Sequence, residues 1–365
     1  MKRLLCLALS LLLLCGCSAS GSYVYTRAHQ EAQAASDPDA INSRAELTEA
    51  VSAMIRAGVQ SDTLLIADYQ GDLNADLETV TAELTEKDPY GAFAVSSIVC
   101  KQVSIVSRTE LTVSVQYSRP ADEIAAVVEA PTADDLGLRI AETFSGFSSD
   151  KAFYLSGVYV SDPEALAEKC WLQDPASAVG LKSFTVTAYP ATGLSRILEL
   201  RVEYLDTPEK LRSMSADIRS AAAAVCASYG GSSDRDKLDF VYAYLRDSVR
   251  YDTDAMRVVA ETGGRQAHTS LYTAYGALLE NRAAQSGIAL AAKALCDELK
   301  LPASVISGTL DGEPYIWLVV TLDGVAWHFD PTSRLAAAAG GYTDLFSMTE
   351  GRRRFVWDKS LYGIY

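Results

Sequence analysis

Leu111, Val113, Val115, Tyr117 and Ile124 are matched in order by Leu198, Leu200, Val202, Tyr204 and Leu211, at a constant offset of 87 residues (Leu111 to Leu198). Up to each tyrosine, apolar and polar residues alternate with the two-residue period of a strand that buries one face. Arg119-Pro120 and Thr207-Pro208 then close the strands. Proline cannot donate to a sheet ladder, and its fixed φ suits the first turn of a helix. The flanking order recurs as well. A helical pattern over 45–57, an apolar run over 64–69, a helical pattern over 73–84 and a strand-like stretch over 94–106 precede the first match. Before the second come a helix over 134–144, a strand over 153–160, a helix over 162–171 and a strand over 184–189. A unit repeated in this way is a small sheet with helices beside it, so the expected class is α+β with two tandem modules, 40–121 and 122–229. Spacing or binding is their expected work.

The N-terminus reads differently. Met1-Lys2-Arg3, an apolar run over 4–14 and Cys15-Gly16-Cys17 follow the charged, apolar, small order of a secretory signal. The run is too short to span a bilayer. Leu14-Cys15-Gly16-Cys17 resembles the lipobox of bacterial lipoproteins. That resemblance implies a signal over 1–17, a diacylglyceryl thioether on Cys17, and a protein held on the extracytoplasmic face of the cell membrane by several acyl chains, each worth ~0.8 kcal/mol per buried CH₂. Residues 18–39, rich in Ser, Ala, Gln and Asp without periodicity, are expected to form a flexible stalk. The formal charge of −15 excludes nucleic acid, whose phosphates reward basic patches, and adhesion driven by charge to anionic lipids or wall polymers. Peptides, glycans and other envelope proteins remain as partners, and no cofactor is implied. Beyond the signal, Cys100, Cys170, Cys226 and Cys296 show no CxxC or Cys/His spacing, so no metal site is expected. Whether they pair as disulfides is open.

Tyr229-Gly230-Gly231 is a stop signal, and a new helix is expected from Ser233-Asp234. Ser233 and Lys237 bracket its capped first turn, and Leu238, Val241, Tyr242 and Leu245 form its apolar stripe. The last domain is therefore placed at 230–365. Along it run Val249-Arg250-Tyr251-Asp252, Ala274-Tyr275-Gly276-Ala277-Leu278, Ser286-Gly287-Ile288-Ala289 and Leu301-Pro302-Ala303. Val305-Ile306-Ser307-Gly308, Gly312-Glu313-Pro314-Tyr315-Ile316-Trp317, Trp327-His328-Phe329-Asp330-Pro331-Thr332 and Phe355-Val356-Trp357-Asp358 follow. In this order the motifs resemble the transglutaminase-like domains of bacterial secreted proteins, within the papain-like cysteine-hydrolase class.

The resemblance implies a cysteine two residues before the helix-opening glycine, a histidine two before the strand tryptophan, and an aspartate before the proline. A helix N-terminus favours a thiolate, a histidine shuttles its proton and an aspartate orients the imidazole. Here those positions hold Gln285, Tyr315 and Asp330. Gln285 has no ionisable nucleophile, and a tyrosine of pKa ~10 is a poor base at neutral pH. Cys296, further along the same helix, is about 16 Å from the vacant position at ~1.5 Å rise per residue. The three histidines, His29, His268 and His328, do not restore the triad in a shifted register. The expectation is a pseudoenzyme whose C-terminal domain binds or assembles, with Ser286, Trp317 and His328 as cleft candidates. The alternative is a hydrolase or acyl-transferase that uses Ser286 with His328 and Asp330, and it requires an oxyanion hole. Trp317 and Trp327 suit a core as well as a cleft. Arg352-Arg353-Arg354 reads as solvated surface or an anion site.

Overall fold

The computed structural model describes residues 40–105, 108–254, 270–332, 345–347 and 354–364. Cys17, the expected stalk, His29, His268, Arg352 and Arg353 lie outside the described residues.

The first α+β unit opens with α1 (Arg44–Arg56), whose N-cap Ser43 accepts from the Glu46 backbone. Next come β1 (Ser61–Ile66), α2 (Leu73–Glu86), α3 (Pro89–Ala94), β2 (Val95–Ile105), β3 (Arg108–Tyr117) and the short α4 (Ala121–Ala125). The strands form an antiparallel sheet of order β1-β3-β2. One face packs Leu111, Val113 and Val115 against Leu47, Val51, Ile55, Val80 and Leu84 of the helices.

The second unit repeats the plan with β4 (Val128–Glu129), α5 (Ala133–Ser145), β5 (Asp150–Leu155), α6 (Pro163–Leu172), β6 (Leu181–Tyr189), β7 (Arg196–Tyr204) and α7 (Pro208–Cys226). Leu198, Leu200 and Val202 are buried as their counterparts are. The likeness extends to irregularities. A bulge between Val95 and Ser97 faces Tyr117, and another between Leu181 and Ser183 faces Tyr204. The strand expected over 153–160 instead ends at Leu155, because Gly157 takes a left-handed φ of 71° and turns the chain.

Phe93 and Ile124 of the first unit pack on Ala152 and Ile197, residues on the outer face of the second unit's sheet. Arg119 crosses the same junction.

In the C-terminal unit, α8 (Asp234–Ser248) starts in a capping box made by Ser233 and Asp236. Lys237, expected to share in the cap, pairs with Asp234 at 2.8 Å instead, since the reciprocal backbone bond requires an acceptor. The unit continues with β8 (Arg250–Tyr251), a 3₁₀ turn over Ser270–Tyr272, α9 (Ala274–Leu279), β9 (Arg282–Ala283) and α10 (Gln285–Glu298). It ends with β10 (Ala303–Leu310), β11 (Glu313–Leu322), β12 (Val325–Phe329), β13 (Leu345–Ser347), β14 (Phe355–Val356) and α11 (Lys359–Tyr362). The last five strands form one antiparallel sheet, β13-β12-β11-β10-β14.

α10 is buried on nearly every side and packs on the sheet face that carries Leu318, Val320 and Phe329. The helix α7, placed by sequence before the 229/230 boundary, buries Leu211, Ile218 and Ala222 in this same core, beside Leu238, Val241 and Leu245 of α8. Its repeat counterpart α4 is a single turn, so α7 is the piece of the repeat that the C-terminal unit has taken over. The class is α+β. Among the described residues no helix is long and apolar enough to cross a membrane.

Candidate functional site

The site is built around the start of α10. Ala284 N–H donates to the Leu271 carbonyl at 2.8 Å, which pins the chain just before the helix to the 3₁₀ turn. Gly287 faces that turn closely. A Cβ there would lie 2.3 Å from the Leu271 oxygen and 2.9 Å from the Thr273 oxygen, so the helix-opening glycine is a packing requirement. Ser286 Oγ donates to the Tyr272 carbonyl at 3.2 Å. The Gln285 side-chain amide donates to the Ile316 carbonyl. The residue in the nucleophile position is thereby clamped to β11 beside Tyr315.

Tyr315 and Asp330 meet. The phenol donates to the Asp330 carboxylate, at 3.1 Å to Oδ2 and 3.3 Å to Oδ1, and the Thr332 backbone N–H donates to Oδ1 at 3.1 Å. Burial pushes the Tyr315 hydroxyl well above its ordinary range, and the neighbouring Asp330 charge pushes it further. Tyr315 is therefore a fixed donor at any physiological pH and cannot take a proton. Asp330 and Asp252 are both buried. Asp252 forms an ion pair with Arg282. Burial, followed by the charges of Tyr272, Asp330 and Asp252, also raises the Tyr251 hydroxyl. The result is an acidic, tyrosine-lined cluster that can donate hydrogen bonds and repel anions.

Tyr251, Asp252, Tyr272 and Arg282 were not singled out as site residues by sequence. The Tyr251-Asp252 dipeptide was visible at the end of its helix. What brings it here is the parallel pairing of Tyr251 with Ala283, which lies two positions before Gln285.

Trp317 and His328, expected to line a cleft, lie instead in a core on the sheet face turned away from α10, against which Tyr315 also packs, each 0 % exposed. Strand alternation explains this. Ile316, Leu318 and Val320 turn to α10, so Trp317 and Val319 turn away, and the pairing of Val319 with His328 sends the imidazole with them. There Trp317 Nε1 donates to His328 Nδ1 at 3.0 Å, and the imidazole stacks on Phe355 at 4.6 Å between centroids. Burial, aided by the nearby Lys359 charge, lowers His328 to about 4, so it is neutral with its proton on Nε2. Among the described residues no hydrogen bond joins Ser286, His328 and Asp330.

The thiols offer no substitute. Cys296 is fully buried and pushed up to about 12, while burial raises Cys170 and Cys226 to about 11 and Cys100 in the same direction. All four are unbridged. Arg354 pairs with Asp311 at 2.8 Å. Among the described residues no group of three His, Cys, Asp or Glu side chains is placed to hold a metal ion.

No family model matches the chain, and no curated protein matches it. Several solved structures resemble it. The crystal structure of a TGase shares 19% identity at a TM-score of 0.31, over 62% of this chain and 65% of that one. A candidate cysteine protease from Cytophaga hutchinsonii shares 12% at a TM-score of 0.25, over 41% of this chain and 61% of that one. A candidate protease from Parabacteroides distasonis shares 8% at a TM-score of 0.26, over 62% of this chain and 46% of that one. The chain spans less than two thirds of each neighbour's length. TM-scores this low carry no functional inference. The transglutaminase-like reading of the C-terminal unit rests on its motif order and on the geometry around α10, β11 and Asp330.

Proposed function

We propose that this is a lipid-anchored cell-envelope protein whose transglutaminase-like C-terminal unit is catalytically inactive and serves as a peptide- or glycan-binding or assembly module. One observation carries the inactivity: Tyr315 donates a hydrogen bond to Asp330 and keeps its proton, where an active site of this class needs an imidazole that accepts one. Gln285, tied to the Ile316 carbonyl, adds neither a nucleophile nor a mobile group. The anchoring is supported by the apolar run that ends in Leu14-Cys15-Gly16-Cys17. An enzyme built on Ser286 gains no support, because its hydroxyl is engaged with Tyr272 and His328 faces the opposite side of the sheet.

The test is labelling of the full chain in detergent with acyl-donor probes reactive toward serine or cysteine, beside Ser286→Ala and Cys296→Ala. No site-specific labelling is expected. Labelling that disappears only in Ser286→Ala would overturn the reading and make the protein an enzyme with a relocated nucleophile. The anchor is tested separately: Cys17→Ser should abolish incorporation of a fatty-acid analogue and release the chain from the membrane fraction.

A further inference from the structure

A cavity of about 490 Å³ lies where the second α+β unit meets the C-terminal unit, within the ~300–1,000 Å³ range of small-ligand sites. Its apolar wall is drawn from both: Trp171, Leu205 and Met214 from the second unit and α7, and Tyr275 from α9. Leu205 is 45% exposed. A lone exposed leucine is ordinary, but this one borders a cavity lined by aromatic rings, where an entering apolar group would take it out of water.

Charge is segregated across the space. Lys182 and Lys210 stand on the second-unit wall, and Glu280 on the C-terminal wall. Side-chain partners hold all three in place. Lys210 pairs with Asp206 at 2.7 Å, Lys182 with Glu203 at 2.9 Å, and Ser270 Oγ donates to Glu280 at 2.6 Å. Of the three partners that steady these groups, Asp206 and Ser270 also line the cavity and Glu203 does not, so the second-unit wall presents two ammonium groups and one carboxylate to the space. Tyr272 lines the cavity too, and its carbonyl receives the Ser286 hydroxyl, so the cavity adjoins the start of α10.

We infer that this cavity binds a short peptide by its free ends, with the carboxylate toward Lys182 and Lys210 and the amino group toward Glu280. An aliphatic side chain packs against Leu205, Met214 and the rings of Trp171 and Tyr275. A peptide fits better than a glycan because Leu205 and Met214 offer no hydrogen bonds to buried sugar hydroxyls, which would be left unsatisfied. The inference rests on the non-catalytic reading for the peptide's fate: it is held and released intact.

The experiment titrates the full chain in detergent micelles with trileucine, its C-terminal amide, its N-acetyl form and chitotriose, and follows heat and tryptophan emission. Trileucine should bind saturably, and each blocked form about tenfold more weakly, as expected when one charge-assisted contact is lost. Lys182→Met with Lys210→Met should make acid and amide bind alike, and Leu205→Asp should weaken trileucine by about tenfold or more. These three side chains are largely solvent-facing, so the variants fold. Absence of saturable binding, preference for chitotriose, or indifference to Leu205→Asp would overturn the cavity assignment and leave the non-catalytic reading untouched. Recovery of cleaved trileucine from a saturable complex would sink the non-catalytic reading while the cavity stands.

Discussion

Tyr315 supplies the hydroxyl that satisfies a buried carboxylate, so Tyr315→Phe should cost about 1–3 kcal/mol in urea unfolding, the penalty for leaving a buried acceptor short of a donor. A fold destabilised by less would mean that other donors already satisfy Asp330. His328 makes a pH prediction. Its folded pKa of about 4 lies below the ordinary 6.5, so the unfolded chain binds more protons between those values and stability rises with pH across that window. Acidification from 6.5 to 4 should cost up to about 3 kcal/mol through this residue. In His328→Gln, which keeps an acceptor for Trp317 and does not titrate, melting temperature should depend less on pH over the same window. An unchanged dependence would assign the acid sensitivity elsewhere.

At the scale of elements, α10 is positioned by a backbone contact that tolerates no side chain. Gly287→Ala places a methyl against the Leu271 carbonyl, and overpacking of this kind costs about 3 kcal/mol or more when backbone must yield. Ser286→Ala, one residue away, removes only a hydrogen bond to a carbonyl and should cost about 1 kcal/mol. Denaturation midpoints of the two variants should therefore be well separated. Equal midpoints would show that the 3₁₀ turn can move aside.

Across the whole molecule, the two α+β units are joined through a buried carboxylate. Arg119 reaches Glu199 with paired bonds of 2.7 and 2.8 Å while lying 4.0 Å over the Phe93 ring, and Arg201 contacts the same carboxylate at 2.9 Å. Burial opposes the charge on Glu199, but the two guanidinium groups outweigh it and hold the carboxyl below its ordinary range. The stability this pairing provides is present above the ordinary carboxylate pKa and is lost as pH falls through the lowered one. Arg119→Met strands much of that charge at the junction and should destabilise by about 3–5 kcal/mol. Limited proteolysis should then cut between residues 117 and 130, where the parent should resist. If cleavage and stability match the parent, Arg201 alone suffices to hold Glu199.

The repeat was legible because alternation and proline placement are local properties. The strands through Leu111 and Leu198, the helices that precede them and the α+β class all follow from periodicities that a one-sided core imposes. The motif order likewise marked α10, β11 and Asp330. Which face of β11 meets α10 was not legible, since residues 315–320 are apolar on both sides and a period of two names the faces without choosing between them. Packing chose, and it sent Trp317 and His328 to the face away from α10, into a core with Val319 and Phe355 that Tyr315 borders. Nor does the stripe along α7 say which neighbour it covers; only the contact with α8, α9 and α10 makes it part of the C-terminal core. Tyr251 and Asp252 come to the site through β8 pairing with β9, a contact between distant segments that no local pattern encodes. Sequence determined what each segment can form, because that depends on near neighbours. Tertiary structure decided which surfaces meet, because that depends on the volumes and charges of residues far apart in the chain.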